Sequence, residues 1–176
     1  MKLEVARATF DGAILKRGFW LYLVEIVTSR GRHLVYVGRT GDTSSPYAAS
    51  LFTRMTGHLN DRKSAKANSL LKRIVEQELA CQDCSYRFVG IGPVFEQQAT
   101  MEAHKPLRDQ MAGLERAVAD HLREKGYALL GDHPKARMVE AELLATTLNL
   151  VDQEFSVPPN KQMQRTRPAQ AMAPRR

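Results

Sequence analysis

The stretch that most restricts the fold is Phe19 to Gly38. Two runs rich in β-branched and aromatic residues, Phe19–Val27 and His33–Gly38, flank Ser29-Arg30-Gly31-Arg32, a turn signal with glycine at its centre. Both runs are too short for helices of ordinary length, and the short link between them requires an antiparallel hairpin. Gly38 and Gly41 then release the backbone into a loop. Ser44-Ser45-Pro46 reads as a helix start, with proline near the first turn.

The remaining elements follow from periodicity. A first helix is expected from about Pro46 to Leu59, with Leu51, Phe52, Met55 and Leu59 on the helical period and Arg54 and His58 on an adjoining face. After a basic loop, a second helix opens near Asn68-Ser69, its buried stripe being Leu70, Leu71, Ile74, Val75 and Leu79. Ser85–Val89 reads as a third strand, which Gly90, Gly92 and Pro93 interrupt, with Val94-Phe95 able to continue the extended chain. A third helix is expected from Pro106 to about Lys125, closed by Gly126. Asp132-His133-Pro134 opens a fourth that extends to about Asn149, with Met138, Ala141, Ala145 and Leu148 on one side. The fold class is therefore mixed α/β: a small, mainly antiparallel three-stranded sheet flanked by helices. Residues 1–16 form an N-terminal lead-in and 17–155 the domain. Residues 156–176, polar, basic and proline-containing without periodicity, form a disordered tail.

Composition narrows the function class. The 176 residues suit one domain, and no apolar run approaches the roughly 20 residues that span a bilayer. The N-terminus lacks an apolar signal core, so a cytoplasmic location is expected. Cys81 and Cys84 alone cannot complete a four-ligand zinc site and read as plain thiols. The net charge is +7, but five of those charges lie in residues 157–176, which leaves +2 for the body. Local crowding says more: Arg54, Arg62, Lys63, Lys66, Lys72 and Arg73 fall within twenty residues against one acid, Asp61, the footprint of a phosphate backbone. No Gly-x-x-x-x-Gly-Lys pattern exists, so no nucleotide cofactor is expected, and nothing in the sequence bears on oligomeric state.

One polar residue in the third helix stands apart. Met111, Val118 and Leu122 share a face, and Glu115 falls among them. A carboxylate on an inward face is costly unless it is paired or metal-bound. Arg108 and Arg116 are near in sequence, yet neither is at i±3 or i±4.

The hairpin tyrosines Tyr22 and Tyr36, the helical pair Arg54 and His58, and the inward Glu115 together resemble the GIY-YIG nuclease family. Trp20-Leu21-Tyr22 stands at the first motif and Tyr36-Val37-Gly38 at the second, with thirteen residues between the tyrosines. The resemblance covers about residues 17–134. It implies a divalent-metal-dependent endonuclease acting on DNA, with Tyr22, Tyr36, Arg54, His58 and Glu115 catalytic and Glu115 holding Mg²⁺ or Mn²⁺. Arg39, Arg62, Lys63 and Lys66 are expected to contact nucleic acid. One departure is clear: the family's asparagine after the glutamate helix is absent, because Leu129-Leu130 is followed by Gly131 and Asp132.

The residue types suit the chemistry. One hard carboxylate favours a single Mg²⁺ or Mn²⁺ that keeps its waters, and an arginine clamps a phosphate oxygen with two donors. The base is open. A free tyrosine with pKa near 10 makes its phenolate unfavourable by about 4 kcal/mol at pH 7. Either a neighbouring cation lowers that cost, or the tyrosine positions the water or relays its proton to His58. Two other functions stay in view, a non-catalytic nucleic-acid-binding module on the same fold and an RNA-cleaving enzyme.

Overall fold

The computed structural model describes residues 3–42, 45–60, 69–77 and 79–156. Arg62, Lys63 and Lys66, and the tail from Val157 onward, lie outside the described residues.

A four-stranded mixed sheet separates two helical layers. Strand β1 (Phe19–Val27) pairs antiparallel with both β2 (His33–Arg39) and β3 (Ser85–Phe95), and a fourth strand, β4 (Leu129–Leu130), lies parallel to β2, in the order β3-β1-β2-β4. The expected count of three is thus corrected to four. Two leucines carry no legible alternation; their pairing with Val35 and Tyr36 depends on the chain returning from the third helix. Strand β3 also runs on past Gly90, where a break was expected. At Gly90 the Leu51 side chain lies 2.1 Å from where a Cβ would stand, so this glycine admits a neighbour without ending the strand.

Alternation along β1 splits the core in two. Phe19, Leu21 and Leu23, with Val35 and Val37, face α3 (Met101–Glu124) and α4 (Ala141–Glu154). Trp20, Tyr22, Val24 and Ile26, with Leu34 and Tyr36, face α1 (Leu51–His58) and α2 (Ser69–Glu76). A central strand buried on both faces must be apolar nearly throughout, as β1 is.

Helix bounds differ from the periodicity. The first helix starts at Leu51 rather than Pro46, where Ser50 accepts the Thr53 N–H at 3.2 Å. The third starts five residues before Pro106, capped by Thr100. The fourth begins at Ala141 rather than near Asp132, because the preceding chain crosses α3 in extended form. A Cβ on Gly113 would stand 2.8 Å from the Arg137 carbonyl oxygen and 2.6 Å from Val139. Met138 on this crossing is 91% exposed, and Val75 is 61% exposed; neither belongs to a buried stripe. The inward side of α4 is instead Leu144, Thr147, Leu148 and Val151. Cys81 and Cys84 are free thiols, each donating to a backbone carbonyl. No helix among the described residues is long and apolar enough to cross a membrane.

Candidate active site

The two tyrosines arrive on one face because both are even positions of the hairpin. Tyr22 stands opposite Gly38 and Tyr36 opposite Val24, which places the rings diagonally with centroids 6.2 Å apart. The Tyr22 ring lies across Gly38, whose missing side chain gives it room: a Cβ there would be 2.5 Å from both Cζ and Oη. Helix α1 closes over this face. Arg54 and His58, one helical turn apart, both reach Tyr22: Arg54 Nε donates to Tyr22 Oη at 3.2 Å, and Oη is 2.6 Å from His58 Nε2. The His58 ring also meets Tyr36 edge-on at 5.3 Å.

The chain of hydrogen bonds ends on a residue that the sequence reading passed over. Arg54 Nη2 donates to Asp42 Oδ2 at 2.6 Å. Asp42 reads as loop chemistry beside Gly41; the one available signal was that an arginine on a mostly buried helix face needs a counter-ion. Its loop is fixed from below. The Thr40 hydroxyl donates to the Gly18 carbonyl at 2.6 Å and accepts from the Trp20 N–H at 2.8 Å. Buried His104 donates through Nε2 to the Gly41 carbonyl at 2.9 Å, and Phe19 lies beneath Gly41, which has φ +75°.

Glu115 comes from the opposite layer. It is buried, as expected, but its partner is neither Arg108 nor Arg116, which pair with Asp109 and Asp120. Arg39 Nη1 donates to Glu115 Oε2. Arg39 is an odd position of β2 and therefore points toward α3, so an arginine expected on nucleic acid is held in an internal ion pair. The five expected residues thus fall into a contact group of four, Tyr22, Tyr36, Arg54 and His58, and a fifth, Glu115, which reaches the same end of the sheet from the far side. The link between them is electrostatic: the Asp42 and Arg54 charges both act on Glu115.

Protonation follows from this geometry. Burial lowers the pKa of His58 to about 4, with the Arg54 charge acting in the same sense, so the ring is neutral at pH 7. Arg54 is always a donor, so Tyr22 Oη accepts from it and donates its own proton to His58 Nε2; the ring proton is then on Nδ1. Burial, with Tyr36 adding to it, pushes the Tyr22 hydroxyl well above the usual tyrosine range. Burial draws Arg54 down, but Tyr22 and Asp42 outweigh it and hold the guanidinium more firmly charged. Burial raises Glu115 above the usual carboxylate range, although Arg39 opposes it. Tyr36 is half-buried, and its hydroxyl has no hydrogen-bond partner among the described residues.

The donor set can be compared with what a hard cation requires. Among the described residues no three His, Cys, Asp or Glu side chains cluster as a metal cage. Glu115 and Asp42 offer carboxylate oxygens at one end of the sheet, which suits an ion that keeps most of its waters. Gly131, which follows Leu129-Leu130, has φ +85°, and Asp132 beside it is exposed. No protein family, curated protein or solved structure matches the chain.

Proposed function

We propose that this protein is a divalent-metal-dependent endonuclease that hydrolyses DNA phosphodiesters. The observation that carries the proposal is the series His58–Tyr22–Arg54–Asp42, which runs from a buried histidine–tyrosine pair through half-buried Arg54 to Asp42 at the surface. A layer filled by Trp20, Val24, Ile26, Leu51, Leu70 and Ile74 needs no such polar network for packing, and burying one is costly unless every member is satisfied. Its types are those of phosphoryl transfer: a fixed guanidinium, a hydroxyl pair and a neutral imidazole.

Glu115 would hold the Mg²⁺ or Mn²⁺. Bound there, the ion supplies charge neutralisation at phosphorus and acidifies coordinated water. Arg54 presents its guanidinium already oriented by Asp42 and Tyr22, so stabilising the crowded transition state needs little reorganisation. Tyr22 holds its proton toward His58 and is too deeply buried to meet a substrate directly. Tyr36, half-exposed with an uncommitted hydroxyl, is the group available to orient an attacking water, while the one acceptor nitrogen of neutral His58 is held by Tyr22. Arg39 keeps Glu115 ionised until the site is charged.

A non-catalytic DNA-binding module has one observation in its favour. Arg39 already neutralises Glu115, as a purely structural ion pair would. Incubating supercoiled plasmid with the full chain in Mg²⁺ or Mn²⁺ separates the readings. Nicking by the wild type, lost in a folded Glu115→Ala variant, supports the nuclease. Salt-sensitive binding without nicking supports the module, and an RNA substrate run alongside tests the remaining enzyme class. Nicking at full rate by Glu115→Ala overturns the proposal.

A further inference from the structure

Outside the candidate site, a half-buried cation on α2 lies over a glycine of the sheet edge. Arg73, on α2, is half-buried and has neither an ion pair nor a hydrogen bond among the described residues. Its guanidinium lies flat against Gly131, close enough that a Cβ at 131 would stand 2.6 Å from Cζ and Nη1. Glycine is required there twice, for φ +85° and for the close approach. Beside it, His133 has a buried Nε2 with no partner, and burial together with the charges of Arg123 and Arg116 lowers its pKa. Arg116 and Arg123 share a single carboxylate, Asp120. The sheet edge at β4 therefore has three guanidiniums from two helical layers around a neutral ring, with two acids near them, Asp120, which Arg116 and Arg123 share, and the exposed Asp132.

A half-buried guanidinium with no protein acceptor has only water on its donors and can exchange that water for an anion that reaches it. The register says which anion. Leu130 pairs with Tyr36, so Gly131 and Arg73 lie one strand beyond Tyr36 and two beyond Tyr22. Two inter-strand steps are about 10 Å, which is within about three nucleotides of one strand at roughly 3.4 Å each. We propose that Arg73, seated on the bare backbone of Gly131, binds a second backbone phosphate of the DNA strand whose scissile phosphate lies at Arg54. This rests on the nuclease reading of the site. It also assigns a role to the position where the family's asparagine is missing: Gly131 is small because an arginine from α2 occupies its space.

The test is the salt dependence of binding to a short duplex without divalent metal, read by fluorescence anisotropy on the full chain. One lost phosphate contact lowers the slope of log K against log salt by about 0.9 and weakens binding about eightfold at 0.1 M salt. Arg73→Gln is expected to show both changes with an unchanged melting temperature. Arg73→Lys should restore most of the slope, and Arg30→Gln, which removes an exposed cation at the far end of the hairpin, should alter slope and affinity less than Arg73→Gln does. A folded Arg73→Gln with the wild-type slope overturns the assignment while leaving the Glu115→Ala result, and so the nuclease reading, intact. Failure of the wild type to bind duplex overturns both. Should Arg73→Gln not fold, single neutral methylphosphonates walked along one strand replace it. Wild-type binding must then show a sensitive phosphate besides the scissile one, and its absence overturns the proposal.

Discussion

Replacing Gly38 with alanine adds one methyl group and removes no functional atom, yet it should disable the site. The new Cβ would be 2.5 Å from Tyr22 Cζ and Oη, and an ordinary contact is 3.4 Å, so the ring must move by about 0.9 Å. Tyr22 is 1% exposed, so a displaced ring pushes on packed neighbours rather than into solvent. A shift of that size carries Oη out of range of Arg54 or His58, now at 3.2 and 2.6 Å. Overpacking costs about 1–3 kcal/mol, and loss of a hydrogen bond to a charged group adds about 1.5–3, for a total of roughly 2.5–6 kcal/mol. For a chain of this length that lowers the melting temperature by roughly 5–24 °C. A 1 Å misplacement can also cost about 10²-fold in rate. The decisive assay is a double-mutant cycle by urea denaturation. With Tyr22 already replaced by alanine, Gly38→Ala should cost nothing or stabilise slightly, since alanine is less floppy than glycine in a strand. Additive costs in the two backgrounds would refute the claim that Gly38 exists to seat the Tyr22 ring.

Acid should destabilise the domain before general carboxylate protonation begins. His58 takes up its proton near pH 6.5 when unfolded but near 4 when folded, so its contribution is full above about 6.5 and is lost toward 4, by about 3 kcal/mol. His133, also lowered by burial, acts in the same sense, whereas Glu115, raised by burial, destabilises at neutral pH and is relieved on acidification. Denaturation curves from pH 7 to 4 should therefore fall, and His58→Gln should flatten that fall; an equal slope in the variant would refute the assignment. Arg39→Ala leaves Glu115 buried without its cation and should cost about 3–5 kcal/mol. If Glu115 holds metal, Mg²⁺ should then raise the melting temperature of Arg39→Ala more than that of the wild type; equal shifts would favour a structural pair. Arg54→Lys keeps the charge but cannot serve Tyr22 and Asp42 with the same fork, so nicking should fall about 10²–10³-fold with DNA affinity little changed. A rate within twofold of wild type would remove Arg54 from the transition state.

The hairpin, the helical pair and the buried glutamate were legible because each has a local cause. Alternation marks Tyr22 and Tyr36 as sharing a face, four-residue spacing puts Arg54 and His58 together, and a charge inside an apolar stripe makes Glu115 conspicuous. What could not be read is what depends on contacts distant in sequence. Strand β4 is two leucines long and exists through its pairing with β2. The partner of Glu115 is 76 residues away, and the sequence offered only nearer arginines that point elsewhere. Pro106 was a sound signal for a helix start in general, but Thr100 caps earlier and tertiary packing carries the extra turn. The chain before α4 is extended because Gly113 lets it cross α3, a fact recorded in a helix far from the segment it explains.

The segment Arg39–Asp42 unites the two halves. Strand alternation sends Arg39 to the α3 side, and the turn at Gly41 returns Asp42 to the α1 side, so four consecutive residues supply one charge to each layer. The outcome is two guanidiniums against two carboxylates, Arg39 with Glu115 and Arg54 with Asp42. Such a balance holds every charged group in place without a ligand, which is what a preorganised site requires. On the proposed nuclease reading it also sets the order of events. A phosphate reaching Arg54 competes with Asp42 but leaves the bond to Tyr22 intact, so the guanidinium can exchange partners without losing its orientation. Glu115 has one oxygen under Arg39, and releasing it exposes a buried carboxylate unless another cation takes its place. Phosphate binding can therefore precede full engagement of Glu115, whereas the reverse order would strand a charge.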